Sequence, residues 1–166
     1  MDADAIRALQ APLKEKYKGD PDAALVTLRA QSRISDGIAC RIQTGKALVE
    51  AGLHPATGGT GLQACSGDML LEALAACAGV TLRAVSTALS IPLKDATVTA
   101  EGLLDFRGTL GISKEVPIGF QRIRLRFELD GDATPEQKRK LLSLTERYCV
   151  IFQTLKSPPQ ISAEIG

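Results

Sequence analysis

The sequence predicts an α+β fold, an antiparallel sheet wrapped around two long core helices. Three observations predict it. An apolar helical pattern runs unbroken from Ser66 to Ile91, and a second helix is announced by Thr134-Pro135-Glu136-Gln137. The segments before, between and after these helices alternate with a period of two. The implied order is β-hairpin, helix, strand pair, helix, strand. A length of 166 residues fits one domain with a sizeable core, here 23–166, preceded by an N-terminal helical extension over 1–22.

In the extension Ile6, Leu9, Leu13 and Tyr17 share one side of a helix, kinked near Pro12 and ended by Gly19-Asp20-Pro21-Asp22. Residues 24–33 then alternate, with Val26, Leu28 and Ala30 set against Thr27, Arg29 and Gln31, as a half-buried strand does. Ser35-Asp36-Gly37 is a hairpin turn, and the returning strand turns Ile38, Cys40 and Ile42 inward and Arg41 and Gln43 outward. A third short strand is expected over 47–50. Residues 52–67 read as a loop. Its Gly58-Gly59-Thr60-Gly61 has neither a hydrophobic strand before it nor Gly-Lys-Ser/Thr after it, so a phosphate loop is not expected. His54, without a sequence partner, is expected to be a surface loop histidine.

The central helix is rich in Ala, Leu and Met, offers Ser66 as N-cap and Asp68 in its first turn, and meets Pro92 after its end. On a wheel, Asp68, Glu72, Gly79, Arg83, Ser86 and Ser90 form one narrow stripe and nearly all else is apolar, which predicts a mostly buried element. Cys77 lies about 140° from Glu72, on the stripe of Leu70, Leu74, Val80 and Thr81. Alternation returns over 96–106 and again over 119–129, where Ile123, Leu125, Phe127 and Leu129 oppose Arg122, Arg124, Arg126 and Glu128. The arginine ladder, on an outward face, reads as solvated charge. After the turn Asp130-Gly131-Asp132, the second helix has a Thr cap, Pro at its first position and Gln at the capping-box position. Its expected buried side carries Leu141, Leu142, Thr145, Tyr148, Cys149 and Phe152; Pro158-Pro159 stops it, and 160–165 reads as a final strand.

Twenty basic against nineteen acidic residues leave a formal charge of +1, so no nucleic-acid partner and no anionic membrane surface are expected. Asp68, Glu72 and Arg83 interrupt the longest apolar run, which argues against a membrane span. Asp2 and Asp4 are unlike a signal segment, and a cytoplasmic location is expected. Four separated cysteines, Cys40, Cys65, Cys77 and Cys149, with no Cys-x-x-Cys and one histidine predict neither a metal site nor a cofactor. Cys40, Cys77 and Cys149, each taken alone, are explained as small core residues, while Cys65, close to the helix start, has no role readable from sequence. Taken together, Cys77 and Cys149 put a thiol on the contact face of each interior helix, which allows the two to come within bridging distance. That arrangement suits peroxide chemistry, in which one thiolate becomes a sulfenic acid and a second thiol condenses with it.

The run Asp68-Met69-Leu70-Leu71-Glu72-Ala73-Leu74-Ala75-Ala76-Cys77-Ala78-Gly79-Val80-Thr81-Leu82, followed by Glu146-Arg147-Tyr148-Cys149-Val150-Ile151-Phe152-Gln153-Thr154-Leu155, resembles the OsmC/Ohr family. These are the osmotically inducible and organic-hydroperoxide-resistance proteins. The resemblance extends over 24–166 in element order. It implies a thiol-dependent peroxidase of organic, alkyl or lipid, hydroperoxides, with Cys77 attacking and Cys149 resolving. It also implies an intertwined homodimer with active sites at the interface, and a dithiol reductant such as a lipoyl group. The family arginine has its closest match in Arg33, with Arg41 and Arg29 as rivals. The family glutamate aligns with Gly67, leaving adjacent Asp68 as a shorter substitute; and Val150 stands where the family often has Pro.

The arginine answers a physical need. A free thiol is only about 3% ionised at pH 7, and moving its pKa to about 6 gives roughly thirtyfold more thiolate. A guanidinium beside Cys77, oriented by a carboxylate such as Asp68, is the obvious means. An apolar pocket of Leu and Ala favours alkyl hydroperoxides, at about 0.8 kcal/mol per buried CH₂. Two rival classes fit the same residues: a non-catalytic dimeric binder of a small apolar ligand, in which the cysteines only pack, and a thiol sensor that passes oxidation to a partner.

Overall fold

The computed structural model describes residues 31–35, 39–44, 47–111 and 113–166, with backbone alone through 48, and a few positions before residue 12. Of the extension, Asp4, Ala5, Ala8 and Ala11 are helical, and Asp2 Oδ1 accepts from the Ala5 N–H at 2.8 Å; the rest of that expectation and the strand residues 24–30 lie outside the described residues. The chain forms two compact units. One comprises the described part of Met1–Glu15 with Ala73–Thr99 and Leu125–Gly166, the other the described part of Lys16–Glu72 with Ala100–Arg124.

The second unit holds a four-stranded sheet, ordered as in sequence: β1 (Gln31–Ser35), β2 (Ala39–Thr44), β3 (Ala47–Gly52) and β4 (Ala64–Cys65). The expected hairpin pairs Ser35 with Ala39, which sets Arg33 opposite Arg41; β2 and β3 are also antiparallel. Cys40 sits in β2 opposite Ile34 and Ala51. The segment expected to be loop throughout ends in β4, which runs parallel to β3 and pairs Gly52 with Cys65. His54 is more than a surface residue. Its Nδ1 accepts from the Ala56 N–H at 3.0 Å and caps a 3₁₀ turn (Pro55–Thr57) that ends at Gly58, whose φ of +89° favours glycine. Its ring stacks on Phe106 at 4.9 Å, so the histidine is structural.

Two further strands, β5 (Asp95–Leu103) and β6 (Arg122–Asp130), make a separate two-stranded sheet, so among the described residues the expected single sheet is two. Lys94 N donates to Asp130 O at one end and Gln121 N to Leu103 O at the other, which fixes them as antiparallel. In β6 the apolar residues are half-buried and the arginines exposed, as the alternation predicts; Arg126 pairs with Glu128 at 2.7 Å. The first strand stops short of Phe106. Asp105 accepts from the Arg107 N–H and guanidinium, diverting the chain into a single helical turn, α2 (Phe106–Thr109). That pairing, chiefly the Arg107 hydrogen bonds, holds the Asp105 carboxyl below the usual carboxylate range.

Preceding them is the central helix, α1 (Ser66–Ala88). It ends before Ile91 because Ser90 turns left-handed at φ +52°, while the N–H groups of Ser90 and Ile91 fold back to the carbonyls of Thr87 and Ser86. This paired closure satisfies the last carbonyls and sends Ile91 and Leu93 into the core. By length and composition α1 is apolar enough to cross a membrane, a property shared by core helices. Within the single chain it is less buried than its composition predicts: only Leu74, Ala78, Leu82 and Ser86 are fully covered, one every four residues, and Val80 is 73% exposed. Ser86, expected on the polar stripe, is inside, its hydroxyl donating to the Arg83 carbonyl. The first unit's core joins Leu82, Ile91, Leu93, Ala133 and Leu141, with Val98, Phe127 and Leu129 packed around them.

The second helix starts as predicted, with Thr134 Oγ1 and Gln137 closing a reciprocal capping box, but it is two helices: α3 (Pro135–Tyr148) and α4 (Val150–Lys156). Cys149 lies at the break, in an extended conformation. Leu142 and Tyr148 are exposed rather than buried, the Tyr148 ring under the Arg147 guanidinium at 5.5 Å. The expected final strand is absent: residues 158–166 are irregular and exposed, paired with none of the described strands.

Candidate active site

The break at Cys149 makes the site. The last bond of α3 runs from the Cys149 N–H to the Thr145 carbonyl, 2.9 Å, and the first of α4 from the Gln153 N–H to the Cys149 carbonyl, 3.0 Å. An uninterrupted helix would tie the intervening N–H groups of Val150, Ile151 and Phe152 to the carbonyls of Glu146, Arg147 and Tyr148. Here those bonds are not made, and the amides act on the sulfurs instead: Ile151 and Val150 lower Cys77, and Phe152 and Ile151 work to lower Cys149. Cys77, half-buried on α1, and Cys149, fully buried, are in hydrogen-bond contact, and both are free thiols.

The two sulfurs are not equivalent. Burial alone pushes the Cys77 thiol up. The Ile151 N–H, the Cys149 thiol, the Val150 N–H and, least, the Thr81 hydroxyl outweigh it, and Cys77 ionises below the ordinary thiol value. The Thr81 hydroxyl also donates to the Cys77 carbonyl at 2.8 Å. Cys149 moves the other way. Burial raises it, and the Cys77 thiolate, which accepts its proton and repels its charge, raises it further against the Phe152 and Ile151 amides. Of the two, Cys77 is the thiol that gives up its proton first, and Cys149 the one that keeps it longer. Chemically, that is a nucleophile beside a protonated thiol that can condense with its oxidised form.

The structure brings Cys77 and Cys149 together in the first unit. Asp68, exposed in the first turn of α1, and Arg33, at its register position in β1, belong to the second unit, and the Arg33, Arg41 and Arg29 side chains lie outside the described residues. Among the described residues the groups lowering Cys77 are amides, a thiol and a hydroxyl rather than a guanidinium. The sequence reading missed the amides of Val150 and Ile151. Backbone N–H groups have no residue signature, and only a break in α3 would have revealed them. Among the described residues no cluster of His, Cys, Asp or Glu could hold a metal. A cleft of about 560 Å³ between β5 and β6 residues, lined by Glu101, Leu103, Arg122 and Arg124, includes neither cysteine.

One turn before Cys149, Thr145 is fully buried and its Oγ1 finds no hydrogen-bond partner among the described residues. An unpartnered buried hydroxyl costs about 1–3 kcal/mol. Thr145→Val, which keeps the shape and removes the hydroxyl, is therefore expected to raise stability by about 1 kcal/mol in a thermal or urea melt of the reduced protein; a loss of stability would mean the hydroxyl is satisfied.

A family model described as OsmC-like protein matches residues 59–164. No curated protein matches the chain. Among solved structures, an OsmC-like protein from Mycoplasma pneumoniae superposes with a TM-score of 0.67 at 15% identity, covering 80% of this chain and 89% of that one. An organic hydroperoxide resistance protein OsmC from Legionella pneumophila gives 0.64 at 19% identity, with 81% and 92% covered. OhrB, the organic hydroperoxide resistance protein of Bacillus subtilis, gives 0.54 at 20% identity, with 81% and 94% covered. At these identities the likeness is one of fold.

Proposed function

The chain belongs to the OsmC-like protein family, and on that footing we propose that it is a thiol-dependent peroxidase of organic hydroperoxides. The observation that carries this reading is the Cys77 thiol, lowered from its ordinary value by the amides of a broken helix and by the thiol of Cys149 against the burial that raises it. In the proposed cycle the Cys77 thiolate attacks the outer peroxide oxygen, the O–O bond breaks, and the alkoxide takes a proton to leave as alcohol. Cys77 is then a sulfenic acid. The Cys149 sulfur displaces its hydroxyl, releasing water and forming a Cys77–Cys149 disulfide. A dithiol such as a lipoyl group reduces that bond and becomes a cyclic disulfide. Two of the relatives are described as organic hydroperoxide resistance proteins, which favours alkyl or lipid hydroperoxides as the substrate class.

Arg33 is proposed to add positive charge at Cys77, and Asp68 to orient it. A homodimer is part of the same reading. Val80 at 73% and Leu70 at 37% exposure on α1, with Ile161 and Ile165 on the irregular C-terminal segment, are apolar surface of the kind a second copy would cover. The test uses reduced protein and one equivalent of an alkyl hydroperoxide such as cumene hydroperoxide. The expected product is a protein lighter by two hydrogens, with a peptide containing Cys77 linked to one containing Cys149 in the mass spectrum. Persistence of both thiols under excess hydroperoxide overturns the reading.

A further inference from the structure

The sequence around the break contains nothing that forces one. Tyr148-Cys149-Val150-Ile151-Phe152-Gln153 has no proline and no glycine, and each residue carries an N–H able to continue the ladder. Straightening the helix would return the Val150 N–H to the Glu146 carbonyl and take it from Cys77. That carbonyl is already occupied: the Gln153 side-chain amide donates to it through Nε2 at 2.7 Å, a part-buried bond reaching back seven residues. Gln153 is also the residue whose own N–H makes the first bond of α4, to the Cys149 carbonyl. Its backbone thus starts the new helix while its side chain closes the old one.

We propose that Gln153 is a positioning residue that holds the chain broken at Cys149, its amide substituting for the Val150 N–H at the Glu146 carbonyl so that Val150 and Ile151 stay turned toward the Cys77 sulfur. This rests on Cys77 as the reacting thiol, but not on which oxidant it meets. The exchange is one for one. The carbonyl keeps a donor, and the freed backbone donor acts on the Cys77 sulfur, where a hydrogen bond to the ionised form is about twice as strong as one to the neutral thiol. Removing the side-chain donor leaves the Glu146 carbonyl open to be reclaimed by Val150, and Cys77 loses the amides that offset its burial.

The test is the pH profile of Cys77 alkylation by iodoacetamide in reduced protein, which requires no peroxide. Gln153→Met keeps the length and half-buried packing of the side chain and deletes the donor. Its profile is expected to move toward that of an ordinary thiol, with alkylation at pH 7 slowed about three- to tenfold. Adding Val150→Pro to it should recover the part of the lost rate that the Ile151 N–H carries. Proline cannot bond to the Glu146 carbonyl, is tolerated at a first helical position and leaves the Ile151 N–H in place. Should the Met variant fail to fold, Gln153→Asn, with an amide too short to reach, gives the same comparison. A Gln153→Met profile superimposable on that of the unchanged protein overturns the proposal, as does a loss that Val150→Pro does not repair. An unreactive protein toward hydroperoxide whose alkylation profile still shifts would sink the peroxidase reading and leave this one standing.

Discussion

Cys77→Ser is expected to abolish hydroperoxide turnover to the uncatalysed background, while Cys149→Ser consumes one equivalent and stops. The asymmetry follows from the two environments. A serine at 77 keeps the hydrogen bonds of Ile151 and Val150 but offers a hydroxyl that those amides cannot ionise near neutral pH, so no nucleophile is formed. A serine at 149 fills the same fully buried space and can donate to the Cys77 thiolate as the thiol does. The first attack therefore proceeds, and the sulfenic acid, lacking a partner sulfur, persists. Trapping with a 1,3-diketone should label Cys77 in Cys149→Ser and nothing in Cys77→Ser. Residual multiple turnover by Cys77→Ser would remove the peroxidase assignment. Unchanged turnover by Cys149→Ser with a monothiol reductant would remove only the resolving role.

The parts of this molecule that were legible in sequence are those where one side chain decides one local geometry. Thr134, Pro135 and Gln137 specify the start of α3 because cap hydroxyl, fixed φ and returning amide all act within four residues. The alternation of β6 is legible because burial on one face is written directly as Ile123, Leu125, Phe127 and Leu129. The site was half legible. Two thiols on elements expected to touch could be read from spacing, but the source of thiolate stability could not. Sequence reasoning looked for a cation because charge has a residue letter, whereas the donors on Cys77 are backbone groups released by a break that no Pro or Gly marks. The apolar pattern through Leu141, Thr145 and Phe152 continues across Cys149 and conceals it. The only residue that betrays it is Gln153, and its meaning depends on a bond seven residues back. The C-terminal segment fails for the opposite reason: Ile161 and Ile165 have strand spacing, but pairing is a property of a neighbour, which the sequence does not supply.

The pH dependence of the pair should have two signs. Because each thiol's ionisation alters the other's, protons leave the pair in two separated steps, the first chiefly from Cys77 and the second chiefly from Cys149. Alkylation of Cys77 is expected to rise about tenfold per pH unit and level off below the ordinary thiol value, while Cys149 stays unlabelled until alkaline pH. Stability follows by linkage. For Cys77 the folded value is depressed, so between it and the unfolded value the unfolded chain holds the extra proton and stability climbs with pH; the gain is complete above about pH 8.5 and lost as pH falls through the folded value. For Cys149 the folded value is raised, so stability is full below about pH 8.5 and drains away as pH rises toward the folded value. Their sum is a maximum in melting temperature near the free-thiol pKa. Cys77→Ser should flatten the acid limb. Cys149→Ser should flatten the alkaline limb by removing the group that holds its proton in the fold. A melting profile for the reduced protein that both substitutions leave unchanged would mean the two sulfurs do not share a proton, and the preference for oxidising Cys77 first would lose its physical basis.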